Sequence, residues 1–166
     1  MKFARITLSD RASAGLYEDR SGPAIEQFFA EHVTDEIEWQ RVLIPDERTQ
    51  IESALRRLSD EEKYALVVTT GGTGPSPRDV TPEATRAVCY KLIEGIPEKM
   101  RADGLANTPF AILSRGVCGV RGRSLILNLP GSPKGAVDSL QSVIDMLPHA
   151  IDLLAGKTSH GDVESP

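Results

Sequence analysis

Two aspartates and a glycine loop carry the chemistry that this chain suggests. Thr69-Thr70-Gly71-Gly72-Thr73-Gly74-Pro75 runs off the apolar stretch Ala65-Leu66-Val67-Val68 and closes on Arg78-Asp79, ahead of a helix start at Thr81-Pro82-Glu83. Three glycines in four positions leave backbone N–H groups uncovered and permit positive φ, so consecutive amides can converge on an anion. Asp79 stands just outside the helix N-terminus, and Asp46 follows a second apolar stretch ending at Ile44-Pro45. Taken singly, each aspartate suits a helix cap or flank. Taken together beside a phosphate cradle, they would repel the ligand unless a cation lay between them. Mg²⁺ takes one or two carboxylates together with phosphate oxygens and waters. The pair therefore points to metal-assisted phosphoryl or nucleotidyl transfer.

Two common nucleotide loops are excluded residue by residue. A Walker A loop ends in Gly-Lys-Ser/Thr, whereas Gly74 precedes Pro75-Ser76-Pro77; a Rossmann loop would need a glycine where Pro77 stands. Three further segments offer polar groups after apolar stretches. Pro130-Gly131-Ser132-Pro133-Lys134 reads as a helix start, with Ser132 the N-cap, Pro133 the first helical residue, and Lys134 a mobile charge for a second phosphate. Ser114-Arg115 and Ser9-Asp10-Arg11 each have an ordinary reading as solvated loop. The latter extends through Ser13, Gly15 and Asp19 into a long lip of the kind that is often functional. His32, His149 and His160 have no zinc spacing, and no Cys or Ser stands in a nucleophilic arrangement with histidine.

The elements that must position these groups alternate along the chain. Phe3 to Leu8, Ile37 to Leu43, Tyr64 to Val68, Phe110 to Leu113 and Ser124 to Leu129 read as strands, the third central. Helices are predicted near Gly22, around Ile51 to Leu58, from Thr81 as N-cap, from Gly95, and from Ala136 to Leu154 as one long helix kinked at Pro148 and ended by Gly156. Such repetition implies a three-layer α/β sandwich with a mostly parallel sheet, whose ligands bind beyond the carboxyl ends of the strands. All five polar segments fall there.

Length fits one domain over 1–156 with a polar tail at 157–166, and a domain of that size buries roughly 70% of its unfolded surface without staples. A formal net charge of −5 argues against generic nucleic-acid binding, and no apolar run approaches bilayer length. Cys89 and Cys118, without metal-ligand spacing, read as core thiols in a reducing cytoplasm.

These motifs resemble the bacterial molybdopterin adenylyltransferases, the MogA family, whose relatives include the gephyrin G domain and its plant counterparts. The resemblance rests on Ser9-Asp10-Arg11-Ala12-Ser13, Leu43 to Glu47, Thr69 to Gly74 with Arg78 to Pro82, Ile112 to Arg115, and Asn128 to Lys134, in order along nearly the whole chain. It implies the molybdenum cofactor biosynthesis protein fold, a homotrimer, and transfer of the adenylyl group of ATP to molybdopterin with release of pyrophosphate. The product would be handed to a molybdenum insertase. It further implies Asp46 and Asp79 as catalytic, Mg²⁺-binding residues. Thr70, Gly71, Gly72, Thr73, Gly74, Ser114 and Arg115 would serve molybdopterin; Ser9, Asp10, Pro130, Gly131, Ser132 and Lys134 would serve the nucleotide. The alternatives are a MoaB-type paralogue or a non-catalytic molybdopterin-binding scaffold. Two acids beside a phosphate site weigh against the scaffold, because they would weaken anion binding in the absence of chemistry.

Overall fold

A computed structural model describes residues 1–157; residues 158–166, most of the expected polar tail and with them His160, lie outside the described part. Six strands form one sheet. β1 (Lys2–Leu8), β2 (Glu38–Ile44), β3 (Leu66–Thr70) and β6 (Ser124–Leu129) run parallel, while β5 (Cys118–Arg121) and β4 (Lys91–Leu92) add an antiparallel edge. Their order across the sheet is β2-β1-β3-β6-β5-β4.

The central strands are apolar on both faces because helices cover both. Leu66 and Val68 of β3 with Leu125, Leu127 and Leu129 of β6 face one core; Val67 and Ile126 face the other. This period of two follows from the pleat, and its burial on both sides is the signature of a covered parallel sheet. The first core is closed by α2 (Ser21–His32), α5 (Gly95–Gly104), α6 (Pro133–Val143) and α7 (Leu147–Leu154). The second is closed by α3 (Arg48–Arg56) and α4 (Thr81–Val88). Tucked against the first face, Arg5 is 7% exposed yet paired: Nη1 donates to Asp19 Oδ2 at 2.8 Å and Nε to Glu26 Oε1 at 2.6 Å. A buried guanidinium is tolerable only when paired in this way.

Four expectations change. Phe110 to Leu113 is not a strand: Pro109–Leu113 is a 3₁₀ turn on the surface, opened by Thr108, whose Oγ1 accepts from Phe110 N. A short apolar run has no period of its own, and Pro109 suits a helical first turn. Pro148 does not kink one long helix. The helix ends at Val143, a 3₁₀ turn spans Ile144–Met146, and Pro148 lies in the first turn of α7, where no N–H is missed. Thr81 is not the N-cap of α4. Val80 holds that position without a side-chain bond, and Thr81 Oγ1 instead donates to Gly71 O at 2.9 Å. The Ser9 lip begins as a short helix, α1 (Asp10–Ser13), capped by Ser9 Oγ accepting from Ala12 N at 3.1 Å. No helix among the described residues is long and apolar enough to cross a membrane. Cys118 is buried, Cys89 half-buried, and both are free thiols.

Candidate active site

The carboxyl ends of β1, β2, β3 and β6 open onto a polar cleft of about 660 Å³. Ser9, Asp10, Asp46, Thr70, Gly71, Gly72, Asp79, Gly131 and Ser132 all line it, so segments spread over the chain converge as the parallel topology requires. A second, more apolar pocket of about 340 Å³ adjoins it across Ser132. Thr73, Gly74, Ser114 and Pro130 form its near wall, and Met100, Arg101 and Phe110 stand among its other lining residues. Both volumes fall in the range that holds small ligands. The glycine loop is thus divided, with Gly71 and Gly72 on the cleft and Thr73 and Gly74 on the pocket.

Glycine in this loop also lets the acids come close. The Gly71 amide is spent inside the fold on Leu129 O at 3.2 Å. Gly72 has φ +63°, and a Cβ there would lie 2.3 Å from Thr81 Oγ1 and 3.0 Å from Asp46 Oδ1. A Cβ on Gly74 would stand 2.8 Å from Asp79 Oδ2. Each acid therefore sits directly over a glycine of the loop.

Asp46 and Asp10 are locked to each other. Asp46 N donates to Asp10 Oδ1 at 3.0 Å, and Asp10 N donates to Asp46 Oδ2 at 3.1 Å. Arg78 closes the arrangement, donating from Nε and Nη2 to the two Asp10 oxygens at 3.1 and 2.9 Å and from Nη2 to Glu47 Oε1 at 2.9 Å. The electrostatic result is unequal. Hydrogen bonds from Arg78, helped by the Asp46 amide, hold the Asp10 carboxyl below its ordinary value, and its two carboxylate partners hold Arg78 firmly protonated. Partial burial raises the Asp46 pKa, and the charges of Asp10 and Asp79 raise it further against the bond from Asp10 N.

The donor set suits a hard cation. Asp46 uses Oδ2 for Asp10 N and Asp79 uses Oδ2 for Ser76 N at 3.0 Å; among the described residues the other oxygen of each accepts no protein hydrogen bond. A cation between them would offset the charges of Asp10 and Asp79, which add to burial in raising the Asp46 pKa. No group of three or more His, Cys, Asp or Glu side chains able to hold a metal occurs among the described residues. Mg²⁺ needs none when phosphate oxygens and waters complete its shell.

Not every expected residue faces these cavities. Arg115 lies behind the loop and straps it: its amide donates to Thr73 O at 2.8 Å, Nε to Gly74 O at 2.8 Å and Nη2 to Asp79 O at 2.8 Å, while Nη1 pairs with Glu83. Lys134 turns along α6 to Asp138 Oδ2 at 2.6 Å and lines neither cavity. Thr69 is buried, its Oγ1 accepting from Asn128 Nδ2 at 3.0 Å, and Thr70 Oγ1 donates to Pro130 O at 2.7 Å, tying the two loops together. Ser132 does cap α6, accepting from Gly135 N at 3.1 Å. Sequence reasoning missed Arg78. Its place one residue before Asp79 was the available signal, but its partners at 10 and 47 are joined to it only by the fold.

Residues 4–149 match the family described as "Probable molybdopterin binding domain". The chain belongs to that family. It is 47% identical over 151 residues to the molybdopterin adenylyltransferase of Helicobacter pylori J99, covering 91% of this chain and 86% of that one. The enzyme of the same name from Escherichia coli K12 is 43% identical over 168 residues, covering 94% and 86%. Among solved structures, the molybdopterin biosynthesis enzyme MoaB of Thermus thermophilus superposes with a TM-score of 0.86 at 46% identity, covering 94% of this chain and 97% of that one. The expected fold, a mostly parallel sheet with helices on both faces, is therefore the fold of this family.

Proposed function

We propose that this protein transfers the adenylyl group of ATP to the terminal phosphate of molybdopterin and releases pyrophosphate. The observation that carries the reading is the placement of Asp46 and Asp79 over nearby glycines of a loop that a polar cleft and an apolar pocket share. One cavity suits a polyphosphate and the other a flat, partly apolar ring system. The pterin is assigned to the pocket, with Thr73, Gly74 and Ser114 at its phosphate end. The nucleotide is assigned to the cleft, against Ser9, Asp10, Gly131 and Ser132. The names of the curated relatives support the same reaction.

In this reaction a phosphate oxygen of molybdopterin forms a bond to the α-phosphorus of ATP. The bond from that phosphorus to the bridging oxygen breaks, and its electron pair leaves with pyrophosphate. The attacking phosphate is already an anion, so the protein need supply no strong base. Asp46 and Asp79 would hold Mg²⁺, which when bound neutralises charge on the phosphates. Asp10 and Arg78 orient Asp46, and Arg115 fixes the loop segment from Thr73 to Asp79. Solvent-exposed Phe110, Ile112 and Leu113 support assembly with further copies, consistent with a trimer. The free thiols Cys89 and Cys118 favour a reducing cytoplasm.

Purified protein incubated with molybdopterin, ATP and Mg²⁺ should yield pyrophosphate and adenylated pterin in equal amounts, and Asp46→Asn, Asp79→Asn or a chelator should abolish both. A protein that binds the pterin without forming either product would instead support a MoaB-type or carrier role, the former suggested by the name of the Thermus relative.

A further inference from the structure

The cleft that would receive ATP is rich in acids: Asp10, Glu18, Asp19, Asp46 and Asp79 all line it. Two arginines line it, Arg11 and Arg20, and Arg20 pairs with Glu18 at 3.7 Å. Arg78, which is not among the lining residues, spends its fork on Asp10 and Glu47. Arg5, beneath the floor, is held by Asp19 and Glu26.

Arg11 is the exception. It is exposed on the cleft wall, and among the described residues it has no carboxylate partner. Its guanidinium instead lies over the ring of Tyr17, 5.0 Å from the centroid, with Arg20 at 6.0 Å from the same ring. An aromatic face steadies a guanidinium without consuming its N–H donors, so all five remain available to a ligand. Arg11 also belongs to α1, whose first amide is bonded to Asp46 Oδ2, so its backbone is tied to the carboxylate on which the chemistry is placed.

We propose that Arg11, propped on Tyr17, is the cation that binds the β- and γ-phosphates of the nucleotide and holds them as pyrophosphate departs. The inference rests on the adenylyl-transfer reading and adds the diphosphate subsite to it. When the bond between the α-phosphorus and its bridging oxygen breaks, negative charge grows on the leaving pyrophosphate, and a planar guanidinium can meet two of its oxygens at once.

The test compares Arg11→Ala, Arg11→Lys, Tyr17→Leu and Tyr17→Phe with the wild type. Steady-state kinetics would be measured for each substrate, and Mg²⁺-pyrophosphate binding by calorimetry. Arg11→Ala should lower kcat/KM for ATP about 100-fold, the lower end of what losing one charge-stabilising donor costs, and weaken pyrophosphate binding while leaving the KM for molybdopterin unchanged. Arg11→Lys should recover part of the loss. Tyr17→Leu should fall between, and Tyr17→Phe should lose less than Tyr17→Leu, since the ring and not the hydroxyl does the propping. Unchanged ATP kinetics and pyrophosphate affinity in Arg11→Ala would overturn the assignment, as would an equal loss toward both substrates. If the wild type forms no adenylated pterin yet binds pyrophosphate in an Arg11-dependent way, the adenylyl-transfer reading fails and the diphosphate subsite stands.

Discussion

Replacing Gly72 by alanine tests whether the loop's glycines serve the approach of the acids. Two costs combine at this position. The backbone has φ +63°, which disfavours a residue with a Cβ by about 1–2 kcal/mol. The new methyl would also stand 2.3 Å from Thr81 Oγ1, displacing a hydroxyl whose bond to Gly71 O contributes about 1 kcal/mol, with overpacking adding about 1 kcal/mol or more. Gly122 supplies the control, having φ +57° and nothing within 4 Å of an added Cβ, so that Gly122→Ala bears the backbone cost alone. At about 2–4 °C per kcal/mol for a chain of this size, Gly72→Ala should melt about 10 °C lower than the wild type and Gly122→Ala about 3 °C lower. Activity should separate them further. The methyl presses on Asp46 Oδ1 at 3.0 Å, and a shift of the order of 1 Å in a reacting group costs about 100-fold, so Gly72→Ala should lose about 10- to 100-fold in turnover while Gly122→Ala keeps it. Differential scanning calorimetry and the adenylylation assay read both effects. Equal melting temperatures for the two variants, with full activity in Gly72→Ala, would refute the close approach.

Asp46→Asn should stabilise the protein at neutral pH while lowering turnover by more than the about 100-fold typical of losing a mere supporting partner. The sign follows from the raised Asp46 pKa: the ionised form subtracts stability above that folded-state value, and the penalty disappears below the ordinary aspartate value of 3.8. The melting-temperature gap between Asn variant and wild type should therefore close as pH falls through this window. Arg115→Lys removes the fork from Gly74 O and Asp79 O; because the side chain is 38% exposed, its cost should be only about 1 kcal/mol in chemical denaturation, with turnover falling about tenfold as the loop loosens. Phe110→Asp alters a side chain that is 72% exposed and should leave the melting of the isolated subunit unchanged. It should shift the sedimentation of an assembled form toward the monomer.

What the chain disclosed before its structure was known depended on how far each signal reached along the sequence. β3 and β6 were legible because burial on both faces leaves unbroken apolar runs, Leu66 to Val68 and Leu125 to Leu127. Ser132 and Pro133 were legible because a cap and first turn lie within four residues of each other. Phe110 to Leu113 misled because apolar residues on the surface look in sequence like apolar residues in a core. The antiparallel strand Cys118–Arg121 was missed, being four residues long and broken by Gly119, whose missing side chain makes room for Cys89. The unequal electrostatics of Asp10 and Asp46 were not legible, because they depend on Arg78 reaching Asp10 across 68 residues of chain and on the partial burial of Asp46.

The sheet order also carries a consequence for how the molecule is made. β6 is the last strand in sequence, yet it lies between β3 and β5, so the middle of the sheet stays open until residue 129 is available. Until then β3 offers an unpaired edge of five buried-type residues, Leu66 to Thr70, of the kind that templates pairing between chains. Parallel pairings of this separation form slowly. A nascent chain stalled before β6 would thus expose its most aggregation-prone strand. It would also lack the wall that Gly131 and Ser132 give to the cleft and Pro130 and Ser132 to the pocket. Self-association during synthesis, rather than weak native stability, is then the hazard this topology creates for the cell.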